Sequence, residues 1–179
     1  NFYEEYKVVL SIYDNSDVKK RFKNEDFKFL NFQVNYFHNP KNIGFGKANN
    51  LNFKYYPYNK NDIYIASNPD TSFEAIQLLS LIKFFECEKR FVCINPIIKN
   101  KNGHIQFSAK KDPTFFSLLI GFIPLFLNLS FLRRYDHNHK NKNFNYLQDI
   151  IPASYLSGCF LLIKADTFKK VNGFSEAFF

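Results

Sequence analysis

An apolar run that ends in a polar turn constrains the fold of this chain more than any other feature. Residues 63–71 read Ile-Tyr-Ile-Ala-Ser-Asn-Pro-Asp-Thr, which predicts a buried strand followed by a turn. Thr71 and Glu74 have the T-x-x-E spacing of a capping box, so a helix is predicted to begin there. Asp70 would then lie at the edge of an α/β sheet where ligands bind, and could hold a divalent cation with a diphosphate. In the simpler alternative, Asp70 is only a charge in the first turn of the helix.

Strand and helix patterns alternate along the chain. Strands are predicted over residues 6–13, 32–37, 63–67, 91–94, 104–108 and 156–164, with helices over 16–22, 71–85 and 166–171 and a loop and helix over 44–55. This alternation predicts an α/β fold with a mostly parallel, Rossmann-like sheet and helices on both faces. A chain of 179 residues is long enough for one domain with a sizeable core.

The composition excludes some classes of protein. Hydrophobic residues make up 46% of the chain, which is too many for a disordered protein. The three cysteines show no metal-ligand spacing, so they predict buried thiols in a reducing compartment. The net charge of +8 is compatible with nucleic acid, anionic lipid or an anionic substrate as partner. Nucleic acid is the weakest of these, because the lysines are scattered and no nucleic-acid-binding motif accompanies them.

Residues 114–132 form an uncharged apolar run between two pairs of basic residues. Its length approaches the roughly 20 residues needed to cross a bilayer, although glycine, proline and asparagine interrupt it. We expect an interfacial or re-entrant helix whose basic flanks contact anionic lipid head groups in a peripheral membrane contact. The alternative is a helix that packs on the domain itself. The polar patch over 137–145 that follows is predicted to be a loop.

Further segments carry a resemblance to a known family. They are Asp14-Asn15-Ser16, the glycine-containing run Asn-Ile-Gly-Phe-Gly-Lys-Ala-Asn-Asn over 42–50, and the segments 155–164 and 171–179. In this order, and together with Asn68-Pro69-Asp70, they resemble the family 2 glycosyltransferases. The closest branch is the rhamnosyltransferase-like one of bacterial surface-polysaccharide enzymes. Each motif is weak alone, but their order is specific and covers nearly the whole chain. The resemblance implies the GT-A fold of nucleotide-diphospho-sugar transferases.

The resemblance also implies which residues bind the donor. They are Asp14, Asn15, Gly44, Lys47, Asn50, Asn68 and Asp70. The carboxylate of Asp14 would contact the nucleotide base or ribose, with an Asx-turn as the alternative. Asn68 stands where the family has the first aspartate of its D-x-D motif. Asp70 would bind Mg²⁺ or Mn²⁺, which bridges the donor diphosphate.

On the acceptor side, Ser157, Gly158 and Cys159 resemble the family's S-G-A-F segment. Residues 173–176 resemble its G-F-D-E element, with Ser175 in place of the aspartate. The family's catalytic base follows this element, so it is expected beyond Phe179, and the catalytic residue is left unassigned. We therefore expect a single partial glycosyltransferase domain over 1–179 that is truncated at both ends.

The implied function is sugar transfer with inversion from a nucleotide-sugar donor. The acceptor would be a surface-polysaccharide or lipid-linked glycan, carried on a polyprenyl diphosphate at the cytoplasmic face of the cell membrane. Two other classes stay open. One is an inactive fragment or a non-catalytic nucleotide-sugar-binding module at the membrane. The other is a membrane-associated interaction protein built on residues 114–132, which would bind no nucleotide.

Overall fold

The computed structural model of the chain describes residues 5–17, 22, 24–28, 30, 32–112, 114–115, 130–147 and 150–177. In these residues there are four α-helices, nine strands and one 3₁₀ turn, Asn24–Phe27. The helices are α1 (Phe45–Tyr55), α2 (Ala75–Cys87), α3 (Ser130–His139) and α4 (Ala165–Lys170). The strands are β1 (Val9–Asp14), β2 (Gln33–His38), β3 (Ile63–Ser67), β4 (Cys93–Ile94), β5 (Ile98–Lys99), β6 (Ile105–Gln106), β7 (Ala109–Lys110), β8 (Tyr155–Leu156) and β9 (Phe160–Lys164).

The sheet arrangement contradicts the predicted fold class. The described strands form four small sheets, β1-β2, β3-β9-β4, β5-β6 and β7-β8, rather than one large parallel sheet. The pair β1-β2 is parallel, whereas β5-β6 and β7-β8 are antiparallel. The molecule is thus a small mixed α/β structure. The predicted GT-A fold, with a mostly parallel Rossmann-like sheet and helices on both faces, is wrong.

The error has a local cause in the second half of the chain. The apolar run over 156–164 looked like one strand, but a turn at Gly158 and Cys159 divides it into β8 and β9, which pair in different sheets. The strands β5 and β6 are joined by a short turn in which the Gly103 N–H donates to the carbonyl of Asn100 at 2.9 Å. A turn this short can only join antiparallel strands.

Helix α2 begins later than its sequence suggests. The predicted capping box at Thr71 and Glu74 is wrong, because Glu74 is itself the N-cap and forms the capping box with Gln77. Thr71 instead belongs to the preceding turn, where its N–H donates to the carbonyl of Asn68 at 3.2 Å. The turn after β3 is therefore longer than expected, and Asp70 precedes the helix by several residues.

The polar patch over 137–145 is also more ordered than a loop. Helix α3 continues to His139, and Asn141 and Tyr146 behind it are buried. Both side chains donate hydrogen bonds to the carbonyl of Ala109. Residues 116–129 lie outside the described residues, and so does most of the run over 114–132 with its predicted membrane contact. Part of the predicted helix over 16–22 lies outside them too. No helix in the described part of the chain is long and apolar enough to span a membrane.

Two compact units make up the chain. Unit 1 comprises Asn1–Tyr64, Ser72–Val92 and Ile163–Phe179, and unit 2 comprises Ile65–Thr71 and Cys93–Leu162. Unit 1 has a cluster of aromatic rings whose neighbouring centroids lie 4.4–5.4 Å apart. These rings are Phe45, Phe53, Tyr58, Tyr64, Phe168 and Phe174. In unit 2 the side chains of Phe160, Leu161 and Leu162 in β9 are buried, and Leu162 is fully so. Burial of apolar side chains of this size stabilises each unit by about 1.5–3 kcal/mol per residue.

Candidate functional site

Asp14 is the last residue of β1, and its carboxylate is hydrogen-bonded within the chain. Its Oδ1 accepts the N–H of Ser16 at 2.9 Å, and its Oδ2 accepts the hydroxyl of Tyr36. The hydrogen bonds from Ser16 and Tyr36, with the nearby His38, lower the pKa of Asp14 to about 2. The carboxylate is therefore ionised at neutral pH. The contact with Ser16 is an Asx-turn, so this alternative for Asp14 is confirmed, while a contact with nucleotide stays a prediction.

The loop over 42–44 adjoins this first motif. The side-chain oxygen of Asn15 accepts the N–H of Ile43 at 3.4 Å, which is a long and weak hydrogen bond. Gly44 is the N-cap of α1 and has a φ of 82°, a backbone conformation that favours glycine. The two segments therefore lie side by side within unit 1.

Asn50 connects the loop and helix over 42–55 with the chain around Phe174. Its Oδ1 accepts the N–H of Phe174 at 2.8 Å. Its Nδ2 donates to the Phe174 carbonyl at 2.9 Å and to Oε1 of Glu176 at 3.1 Å. An amide side chain with partners on both ends explains why a poor helix former stands inside α1. We call this set of contacts the Asn50 clamp.

The glycines and the lysine of this region serve the same contact. A Cβ at Gly46 would lie 3.1 Å from the Ser175 carbonyl oxygen, and one at Gly173 would lie 2.2 Å from Oδ1 of Asn50. The chain approaches closely here because both positions lack a side chain. Lys47 forms an ion pair of 3.8 Å with Glu176, and both side chains are about half exposed. Such a pair contributes little, so the ammonium group remains able to bind a phosphate.

Unit 2 brings the other two motifs together. The N–H of Asn68 donates to the carbonyl of Cys159 at 2.9 Å, and the hydroxyl of Thr71 donates to the same carbonyl at 3.3 Å. The hydroxyl of Ser157 lies 3.1 Å from the sulfur of Cys159. The turn after β3 and the predicted acceptor segment are thus joined mainly through main-chain groups.

Asp70 itself differs from the residues around it. Its side chain is exposed, and among the described residues it has no hydrogen-bond or ion-pair partner. The described residues also hold no group of three or more His, Cys, Asp or Glu side chains that could bind a metal by themselves. The Asp70 carboxylate is thus accessible, and its role as a metal ligand stays a prediction.

Sequence reasoning missed two residues that shape these sites. In the register of β1 and β2, Tyr36 lies opposite Ile12, and His38 lies opposite Asp14. Side chains two residues apart on a strand share a face, so this period could have placed Tyr36 near Asp14. Asn95 donates to the carbonyls of Ser157 and Phe160 at 2.9 and 2.7 Å. Its position just after β4 was the one available signal, because polar residues at strand ends often bind neighbouring main chain.

Comparisons of the chain with family models, with curated proteins and with solved structures find no match in any of the three. The family resemblance therefore depends on the motifs and on the contacts between them.

Proposed function

We propose that this protein binds a nucleotide-sugar donor and transfers the sugar, with inversion, to a surface-polysaccharide or lipid-linked glycan. One observation supports the proposal above others: motifs that are far apart in sequence contact each other. The Asn50 clamp joins residues that are 124 positions apart, and the contact between Thr71 and Cys159 spans 88 positions. Chance motif matches scattered along a chain would not be expected to meet in this way.

Unit 1 supplies groups suited to a nucleotide. Asp14 is ionised, and each of its oxygens retains a lone pair beyond the bond that it already accepts, so it can accept hydrogen bonds from a base or ribose. Asn15 lies next to it. Gly44 and Lys47 begin α1, where main-chain N–H groups and an ammonium group favour phosphate. In this proposal Asn50 fixes the donor loop through the clamp.

Unit 2 supplies groups suited to the diphosphate and the acceptor. The exposed carboxylate of Asp70, with Asn68 beside it in the turn, would hold Mg²⁺ or Mn²⁺ together with the donor diphosphate. The metal, when bound, neutralises the charge of the departing nucleoside diphosphate. The turn Ser157-Gly158-Cys159 would lie beside the acceptor sugar, held in place by Asn95. The acceptor would be a polyprenyl-linked glycan at the inner face of the cell membrane. The proposal assigns no catalytic base.

A second candidate is a nucleotide-sugar-binding module without turnover. The observation that favours it concerns Glu176, a carboxylate within the motif region of unit 1. Asn50 donates a hydrogen bond to Glu176 at 3.1 Å, so this carboxylate belongs to the Asn50 clamp rather than to proton transfer. Transfer to a hydroxyl needs a base, and loss of a general base typically costs about 10²–10⁴-fold in rate.

A donor panel separates the two candidates. The purified chain is incubated with Mn²⁺ and a set of nucleotide sugars, with and without a short polyprenyl-linked glycan, and donor binding and nucleoside diphosphate release are both measured. Binding followed by acceptor-dependent release supports the transferase. Binding without release supports the module. Failure to bind any donor in the set contradicts both candidates.

Matched variants locate the activity. Asp70→Asn should abolish metal-dependent binding, whereas Asp112→Asn should leave it unchanged. Asp112 is an exposed aspartate without a partner among the described residues, so its replacement makes the same change in charge. Equal binding by both variants would mean that Asp70 does not hold the metal.

A further inference from the structure

A pocket lies in unit 1, and none of the residues discussed above as donor or acceptor groups line it. Its volume is about 600 Å³, which is within the range of small-molecule sites. It lies where α1 ends, the chain turns and α4 begins. The lining residues are Lys54, Tyr55, Tyr56, Pro57, Tyr58, Lys60, Asp166 and Lys169. We call it the lysine–tyrosine pocket.

The charge of this pocket is positive. Among the described residues, none of Lys54, Lys60 and Lys169 forms an ion pair with a carboxylate. The one acidic lining residue, Asp166, is paired with Lys170 at 2.7 Å. The hydrogen bond from Lys170 lowers the pKa of Asp166, and the charges of Lys60 and Lys169 act in the same direction. Asp166 is the one carboxylate that lines the pocket, and its ion pair is with Lys170, so the positive charges of Lys54, Lys60 and Lys169 exceed the negative charge around the cavity.

The pocket also presents aromatic rings that are held in place. Tyr55 is 59% exposed and stacks against Phe37 with ring centroids 5.3 Å apart. Tyr58 stacks against Phe53 at 4.4 Å, and Nζ of Lys169 lies 5.6 Å from the centre of the Tyr58 ring. Packing on one face fixes each ring before a ligand arrives, which lowers the entropic cost of binding.

We propose that the lysine–tyrosine pocket binds a phosphorylated ligand whose ring stacks on a tyrosine, at a site separate from the donor site. Lysine binds phosphate as a point charge, and three lysines around one cavity favour a ligand with more than one negative charge. Aromatic side chains stack on flat or apolar ring faces, and such stacking is worth about 1–3 kcal/mol for a nucleobase. A nucleotide and a sugar phosphate share this chemistry, so both are tested.

The experiment is a calorimetric titration without divalent cations, so that metal-dependent binding at Asp70 does not contribute. The probes are inorganic pyrophosphate, a nucleoside diphosphate and a hexose 1-phosphate. We expect at least one of the two ring compounds to bind with one-to-one stoichiometry, more tightly than pyrophosphate does, and to weaken as salt is added. The tighter of the two ring compounds identifies the source of the ligand. Pyrophosphate binding as tightly as both ring compounds would overturn the proposal.

Variants then assign the binding to the pocket. Each of the substitutions Lys54→Gln, Lys60→Gln and Lys169→Gln should lower the affinity for the tightest-binding probe roughly tenfold, as expected for loss of a charge-assisted hydrogen bond. Tyr55→Leu should reduce the affinity for the ring compound to the affinity for pyrophosphate. Asp112→Asn, at an exposed aspartate outside the pocket, should change nothing.

The matched control is a triple variant of exposed lysines outside the pocket, Lys89→Gln, Lys99→Gln and Lys101→Gln, compared with the triple pocket variant. Both triple variants lose three positive charges, so net charge is equal. Because all of these lysine side chains are exposed, we expect each variant to fold, and circular dichroism checks this. Equal loss of binding in both would show that net charge alone attracts the ligand, which would overturn the proposal.

Discussion

The structure uses two aspartates differently: Asp14, the last residue of β1, and Asp70, in the turn after β3. Asp14 in unit 1 accepts hydrogen bonds from Ser16 and Tyr36 on its two oxygens, and its pKa is lowered to about 2. Asp70 in unit 2 is exposed and has no such partner among the described residues. A polar group that is already satisfied stabilises the fold around it. One that the fold leaves free is the better candidate for binding a ligand.

The largest loss of stability is expected from a substitution at Gly173, which tests whether side chains with partners in the chain stabilise unit 1. Gly173→Ala forces alanine into a φ of +75°, and its Cβ would lie 2.2 Å from Oδ1 of Asn50. Backbone strain of about 1–2 kcal/mol and the loss of hydrogen bonds in the Asn50 clamp should together lower the free energy of unfolding by about 3 kcal/mol. Urea denaturation of the whole protein, followed by tyrosine fluorescence, measures this change.

Gly103→Ala is the matched control for this substitution. Gly103 has a φ of +79°, but a Cβ there would meet nothing within 4 Å. It should cost only the strain, about 1–2 kcal/mol. In addition, Asn50→Ala should reduce the cost of Gly173→Ala, because the colliding side chain is gone. Equal costs at the two glycines would contradict the clamp.

A somewhat smaller loss of stability is expected from a substitution at Asn95 in unit 2. Its side chain donates to the carbonyls of Ser157 and Phe160 and accepts the hydroxyl of Ser108 at 2.9 Å. Asn95→Ala removes three hydrogen bonds to partly buried groups and should cost about 2 kcal/mol. Asn102→Ala, at an exposed position of the turn between β5 and β6, is the comparison and should cost less than about 0.5 kcal/mol.

The lowered pKa of Asp14 predicts that the stability of the protein depends on pH. Its pKa in the folded chain, about 2, is below the ordinary value of 3.8, so the unfolded chain binds more protons between these values. The stability from Asp14 is therefore fully present above about pH 4 and is lost as the pH falls toward 2. We expect about 1 kcal/mol, a figure reduced for solvent screening because the side chain is partly exposed.

Tyr36→Phe tests this assignment. Removal of the hydroxyl deletes one hydrogen bond to Oδ2, so the pKa of Asp14 should rise toward 3.8. Carbon-13 NMR of the carboxyl group follows the titration directly. An unchanged pKa in Tyr36→Phe would show that Ser16 alone holds the carboxylate.

The smallest effect on stability is expected at Asp70. Asp70→Asn removes an exposed charge without a partner in the described residues, so it should change the free energy of unfolding by less than about 0.5 kcal/mol. Thermal denaturation measures the difference. A loss above 1 kcal/mol would mean that the Asp70 carboxylate serves the fold, as Asp14 does, and the contrast between the two aspartates would disappear.

The local elements could be predicted from the sequence, whereas their pairing could not. The bounds of β3 were predicted correctly, and β2 was placed to within one residue, because alternation and apolar runs are local signals. Which strands share a sheet depends on contacts between distant segments. The turn at Gly158 and Cys159 separates β8 from β9, and the two strands pair in different sheets. The apolar run over 156–164 did not indicate this turn.

The same limit applies to the candidate site. Asp14, Asn50 and Asp70 stood out as polar residues next to predicted elements, but the partners of Asn50 are 124 and 126 positions away. No local pattern shows whether such a side chain faces a ligand or the rest of the fold. The structure separates them because it gives Asp14 and Asn50 partners within the chain and gives Asp70 none among the described residues.

The most direct test of this account is a calorimetric titration of a nucleoside diphosphate into the protein with and without Mn²⁺. The wild-type chain and Asp112→Asn should show the same gain in affinity on adding Mn²⁺. Asp14→Asn should keep this gain while binding more weakly overall, because the proposal assigns Asp14 to the nucleoside rather than to the metal. Asp70→Asn should show no gain. A gain in Asp70→Asn equal to that of the wild-type chain would contradict the central claim that the free carboxylate of Asp70 is the one that binds the metal.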